Sequence, residues 1–148
     1  MFSLPKKKQK ENPTNSKWSI LSGQENGKLM VVRRNNSVQQ YIAKSDFIYR
    51  VGVAILLSEP DKAGLPSEEE MKILNLIEGE LSGQLGKDDL SIQVLAIATH
   101  EMREFVYYTC SPKIIEQVIY NVRNKFYSHE IQFYVKEDKE WSVYKEFA

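Results

Sequence analysis

The chain has 148 residues, 42% hydrophobic and 27% charged, which suits one domain with a substantial core. Its 20 Lys and Arg balance 20 Asp and Glu, which speaks against a general nucleic-acid binder with its usual basic excess. The single Cys110 excludes an intramolecular disulfide and points to the cytoplasm, and the longest apolar run, Val53 to Leu57, is far too short to span a bilayer.

Residues 1–16 are polar, with Pro5, Pro13 and four lysines, and are expected to form a disordered basic tail. No apolar stretch follows the lysines, so they do not read as a secretory signal. Residues 17–148 are expected to form one domain. Trp18 to Leu21 reads as a strand, Glu25-Asn26-Gly27 as a tight turn, and Leu29 to Arg34 as the returning strand. Asn35-Asn36 is a second turn candidate, and Val38 to Ala43 a short third strand.

From Tyr49 to Asp138 the order is strand, helix, strand, strand, helix, strand. Tyr49 to Leu57 alternates, with Val51, Val53, Ile55 and Leu57 on one face. Ser67 and Glu70 form a capping box, and Glu68 and Glu69 suit the positive end of the helix dipole. Met71, Leu74, Ile77, Leu81 and Leu85 make that helix's buried stripe, with Gly86 as its stop. Leu90 to Thr99 is apolar almost throughout, as a central strand covered on both faces would be. His100-Glu101-Met102 connects it to a strand over Arg103 to Cys110. Pro112 suits a first helical position, and Ile115, Val118, Ile119, Val122 and Phe126 form a second stripe. Ile131 to Val135 is the last strand, and Asp138 can cap a short helix carrying Trp141, Tyr144 and Phe147.

The expected fold is therefore α+β: a ferredoxin-like βαββαβ sandwich with an added N-terminal β-hairpin and a short C-terminal helix. With Val51, Phe105 and Phe133 facing the helices, Arg50, Tyr108, Tyr134 and Lys136 turn to the other face. Bare aromatics there would be a liability or a binding surface. Trp141, Tyr144 and Phe147 are near enough in sequence to fold back over them.

A series of residues along the chain resembles a bacterial family called domain of unknown function 695. The series comprises Trp18 opening the domain, Arg33 and Asn35 ending an early strand, and Leu65-Pro66 before an acidic helix. It continues with Glu78 in that helix, Arg103 with Tyr107 or Tyr108 on a later strand, and the ending Asp138-Lys139-Glu140-Trp141 followed by Tyr144. The resemblance spans about residues 17–148. It departs at Lys139, where the family ending leads one to expect proline. It brings no activity to transfer. Some relatives resemble proteins fused to a domain similar to a regulator of ribonuclease activity, for which this chain is expected to have no room.

The chemistry-bearing residues point away from an enzyme. His100 beside Glu101 could act as a base, but polar residues are ordinary in a hairpin connection. His129 has no companion at a metal spacing, and two His with one Cys cannot build a zinc site alone. Cys110 lies just before a helix start, which favours a thiolate, yet no base is identifiable for it. No glycine-rich phosphate loop and no nucleophile elbow is present. Glu78 borders the buried stripe and needs a cation, with Arg33 or Arg103 the candidates.

The expectation is a non-catalytic cytoplasmic protein-interaction or regulatory module, with no metal and no cofactor. Its candidate binding residues are Arg33, Asn35, Glu78, Arg103, Tyr108 and Trp141. Its partner is expected to be a protein, including a second copy as a homodimer, and not a membrane. One alternative is a small-molecule binder or enzyme at Arg33, Glu78 and Arg103, with His100 and Tyr108. Another is single-stranded RNA on an open face of Tyr108 and Tyr134 flanked by Arg50 and Lys136.

Overall fold

The computed structural model describes residues 9–10, 17–42 and 46–147. Its strands are β1 (Gln9–Lys10), β2 (Trp18–Glu25), β3 (Lys28–Asn35), β4 (Tyr49–Leu56), β5 (Ser91–Thr99), β6 (Met102–Thr109) and β7 (Ile131–Glu137). They form one sheet in the order β1-β2-β3-β5-β6-β4-β7, and every neighbouring pair runs antiparallel. The helices are α1 (Glu68–Leu85), α2 (Ile115–Lys125) and α3 (Ser142–Glu146). The tail expected to be disordered lies mostly outside the described residues; within it, Gln9–Lys10 pairs with Leu21 and Ile20.

The hairpin β2–β3 turns at Asn26 and Gly27, whose φ values of 54° and 78° are the positive pair that a type I′ turn needs. Its β3 strand joins β5, so the hairpin extends the sheet. After β3 the chain does not form the expected strand over Val38 to Ala43. Residues Asn36–Tyr41 form a 3-10 helix instead. Asn35 caps it, its Oδ1 accepting from Ser37 N–H at 3.0 Å and from Ser37 Oγ at 2.6 Å. Val38 is the one buried residue of that helix, too few apolar positions for strand alternation to win. Ala43 lies outside the described residues.

α1 and α2 pack on one face of the sheet. Leu74, Ile77, Leu81 and Leu85 of α1 and Ile115, Val118, Ile119 and Val122 of α2 meet Val51, Val53, Ile55, Phe105 and Tyr107. The predicted stripes thus form this core, with Met71 and Phe126 only partly buried at its margin. Ser67 caps α1 by accepting from Glu70 N–H at 3.1 Å. The reciprocal half of the capping box is absent, because the Glu70 carboxylate turns inward to Ser58 and His129. Ser67→Ala is expected to cost about 1 kcal/mol, measured as a lowered urea midpoint at unchanged slope.

The other face carries a second core. Leu21, Met30, Val32, Leu95, Ile97 and Val106 lie under Val38 and the C-terminal Trp141, Tyr144 and Phe147. The Trp141 ring stacks on Tyr108, with centroids 4.2 Å apart and planes 7° from parallel. The fold-back of the C-terminus is therefore as expected at Tyr108, which is fully buried. It does not reach Tyr134, which stays 39% exposed. β5 is buried on both faces at Val94 to Ile97, as a central strand should be. Among the described residues no helix is long and apolar enough to cross a membrane.

Candidate functional site

Side chains of β3 alternate. Met30 and Val32 enter the second core, so Leu29, Val31 and Arg33 stand on the α1 side. Arg33 points at α1, where Glu78 lies one position from the stripe residue Ile77. The Arg33 Nη2 donates to both Glu78 oxygens, at 2.8 and 2.7 Å. Gln93 Nε2 donates to the same carboxylate at 2.8 Å. A register slip in β5 between Gln93 and Leu95 leaves Gln93 opposite Tyr107, on this side. Ser82 then joins the chain of contacts, donating to Gln93 Oε1 at 2.9 Å and lying 2.8 Å from Tyr107 OH. Burial pushes the Tyr107 hydroxyl well above its usual range, so it stays a neutral hydrogen-bonding group. On the solvent side, the Arg33 guanidinium sits 5.5 Å over the Trp18 ring.

Arg103 is the second cation of this groove. It projects from β6 toward α1 and its Nη2 lies 3.6 Å from the Met71 sulfur. Among the described residues no carboxylate is within ion-pair distance of it. Burial lowers its pKa, the Arg33 charge lowers it further, and Glu78 opposes both. Arg103 also lines a small open hollow of about 30 Å³ with Leu29, Val31, Leu65, Ala98 and His100. Gly64 closes that hollow at φ 80°, pressed so near the His100 ring that a Cβ would come within 2.2 Å of Nδ1. His100 and Glu101 stand 3.7 Å apart on the β5–β6 turn.

Tyr108 and Trp141 lie on the opposite side of the sheet and do not join this groove. They belong to a network centred on Asp138. Its Oδ2 accepts from Tyr108 OH at 2.7 Å and from Arg50 Nη1 at 2.8 Å; its Oδ1 accepts from Ser142 N–H and Oγ, both at 2.8 Å. Burial opposes the charge on Asp138, but the Ser142 N–H, Tyr108, the Ser142 hydroxyl and Arg50 bring its pKa down to about 2. Arg50 in turn sits 5.5 Å over the Tyr134 ring, and Tyr134 OH donates to Glu104 at 3.0 Å. Burial and the Glu104 charge push the Tyr134 phenol up to about 12. Burial raises Glu104, against Tyr134 and Arg50.

Asn35 stands between the two sides. Its Nδ2 donates to Gln93 O at 3.0 Å and its carbonyl accepts from Tyr144 OH at 2.7 Å, which makes it a strut for β5 and α3. Cys110 is half-buried with its thiol 3.5 Å from Leu90 O. One pair went unread in the sequence: buried His129 Nε2 meets Glu70 Oε2 at 2.7 Å. The signal was available, since Glu70 is four residues before Leu74 and so belongs to the buried stripe. Among the described residues, no three of His, Cys, Asp and Glu gather as a metal site.

Fold and site together define an α+β protein built on one antiparallel sheet, packed on both faces, with a charged groove beside its first long helix. The chain belongs to the family of unknown function DUF695, which matches residues 16–148. No curated protein and no solved structure matches it significantly.

Proposed function

We propose that this protein is a non-catalytic recognition module that binds a partner protein in the groove between the β2–β3 hairpin and α1. One observation carries the reading. Two arginines and one glutamate converge in a groove rimmed by exposed apolar side chains, with Ile20, Leu29 and Leu65 at 39%, 59% and 48% exposure. A charged centre inside an apolar rim suits protein recognition better than catalysis, because the groups there bind and orient but bring no nucleophile together with a base. The alternative of a small polar ligand draws on the same residues, but the exposed rim favours a larger partner. Stacked RNA bases find little support, since Tyr108 lies beneath Trp141. The lone thiol Cys110 supports a cytoplasmic setting. The order β5-β6-β4-β7, with α1 and α2 on one face, supports reading the core as ferredoxin-like.

The rim can be tested without disturbing the fold. A photo-crosslinker at Leu29 is expected to capture a partner in cells, while one at Tyr120, exposed on α2, is not. Leu29→Lys is expected to leave the unfolding free energy in urea within about 0.5 kcal/mol of the parent and to abolish that capture. Equal capture at both positions, or capture indifferent to Leu29→Lys, sinks the reading.

A further inference from the structure

The two arginines of the groove are not equivalent. Arg33 is committed: both its hydrogen bonds to Glu78 are short, and Gln93 braces the same carboxylate. Arg103 has the Met71 sulfur in contact, the like charge of Arg33 nearby and Glu78 beyond ion-pair distance, already taken by Arg33, and burial disfavours its own charge. A half-buried guanidinium with no carboxylate within ion-pair distance carries a desolvation cost that folding alone does not compensate. It is offset when an anion arrives, because a desolvated charge-assisted pair is stronger than one in open water.

We infer that Arg103 is the anion-accepting centre of the groove and that the partner presents an acidic side chain to it, with apolar neighbours seated on Leu29 and Leu65. The inference rests on the recognition reading above and gives its chemistry. Charge selects the anion class. Arg33, Arg103 and Glu78 sum to one positive charge, which a monoanionic carboxylate neutralises and a phosphate dianion overshoots. His100 already faces Glu101 at 3.7 Å. Shape selects a side chain over main chain. The hollow is small, closed on one side by Gly64 against His100, and Arg103 is part of its lining. A carboxylate on a flexible stem reaches that point while the partner's backbone stays at the rim. The planar guanidinium fork then offers two parallel N–H donors to two oxygens.

The test is an NMR titration of the full chain with capped Leu-Glu-Leu, Leu-Gln-Leu and Leu-phosphoserine-Leu peptides. The glutamate peptide is expected to shift the amides of Val31, Ala98 and Arg103, and to bind about tenfold or more tighter than the glutamine peptide. Arg103→Ala is expected to remove that preference. Arg103→Lys, which keeps the charge but not the fork, is expected to retain part of it, and it serves as the second variant should the alanine protein fail to fold. Equal binding of the glutamate and glutamine peptides at these amides overturns the carboxylate assignment and leaves the recognition surface standing. Tighter binding of the phosphoserine peptide overturns it in favour of a phosphorylated partner. No shift in the groove, or shifts confined to the Tyr134 side, overturns the inference and the recognition reading together. Sedimentation showing a dimer that the glutamate peptide dissolves assigns the seat to a second copy of this chain and overturns the foreign partner.

Discussion

Asp138→Ala is expected to release the C-terminal helix from the sheet and to cost about 3 to 5 kcal/mol of stability. The size follows from what the substitution leaves behind. The Asp138 side chain is 6% exposed and the Arg50 side chain 12%, so the alanine protein keeps a buried guanidinium whose partner is gone. Arg50 Nε already lies buried without a hydrogen bond, so the side chain has little reserve. Tyr108 OH loses its acceptor as well, and α3 loses the oxygen that holds Ser142. Trp141 then loses its stacked position on Tyr108, and its indole N–H, now 2.7 Å from Phe47 O, moves into water. The reading is a lowered thermal midpoint and a red-shifted tryptophan emission, taken in a Trp18→Phe background so that Trp141 alone reports. Acid titration gives a second signature. The folded Asp138 pKa of about 2 lies below its ordinary 3.8, so its contribution is complete above pH about 4 and fades as pH falls toward 2. That shift corresponds to roughly 2 kcal/mol, and the alanine variant should lose this part of the acid-induced destabilisation. An unchanged midpoint with unchanged emission would mean that α3 is held by its apolar contacts alone.

The same C-terminal helix separates what the sequence makes legible from what it hides. Local periodicity carries the stripes of α1 and α2 and the alternation of β4, because burial on one face needs only the spacing of nearby residues. Asp138 reads as a cap for the same local reason, and its nearness to Trp141 suggests the fold-back over Tyr108. Long-range choices are different. Glu78 needs a cation, but only the pairing of β3 with β5 brings Arg33, 45 residues away, to it rather than Arg103. That choice is what leaves Arg103 without a carboxylate. Arg103 and Tyr108, in contrast, are an odd number of residues apart on one strand, so alternation alone sends them to opposite faces of the sheet. The 3-10 helix after Asn35 was hidden because its cap depends on a side chain competing with strand pairing, and single residues decide that contest.

His129→Ala is expected to cost about 3 kcal/mol, for a reason the sequence did not announce. Glu70 and His129 are 59 residues apart, and their side chains are 6% and 2% exposed. Glu70 Oε2 accepts from His129 Nε2 at 2.7 Å and from Ser58 N–H at 2.5 Å, while Oε1 is buried without a partner. An ionised carboxylate can only accept, so Nε2 carries the proton, and Nδ1 faces Ser128 Oγ at 3.0 Å. The pair ties the exit of β4, the first turn of α1 and the loop before β7 to one point. Burial works against the Glu70 charge, yet Ser58 N–H and His129 outweigh it and hold the carboxyl below its usual range. Its stabilisation is therefore complete above the unfolded carboxylate pKa of about 4.3 and is lost as pH falls below it. Removing the imidazole leaves a buried carboxylate held only by the backbone N–H groups of Ser58 and Glu59, with a cavity beside it, which sets the cost. Glu70→Gln keeps an oxygen for Ser58 N–H and should cost less, while flattening this part of the acid dependence. The decisive measurement is a double-mutant cycle over Glu70→Gln and His129→Ala in urea. If the pair acts as a unit, the double variant loses clearly less than the sum of the single losses. Strict additivity would show that each group is held by Ser58 and Ser128 separately. Replacement of both by apolar residues of like volume, Glu70→Leu with His129→Phe, should match or exceed the parent's stability while removing the acid dependence, since it removes the desolvation cost of the buried Glu70 carboxylate.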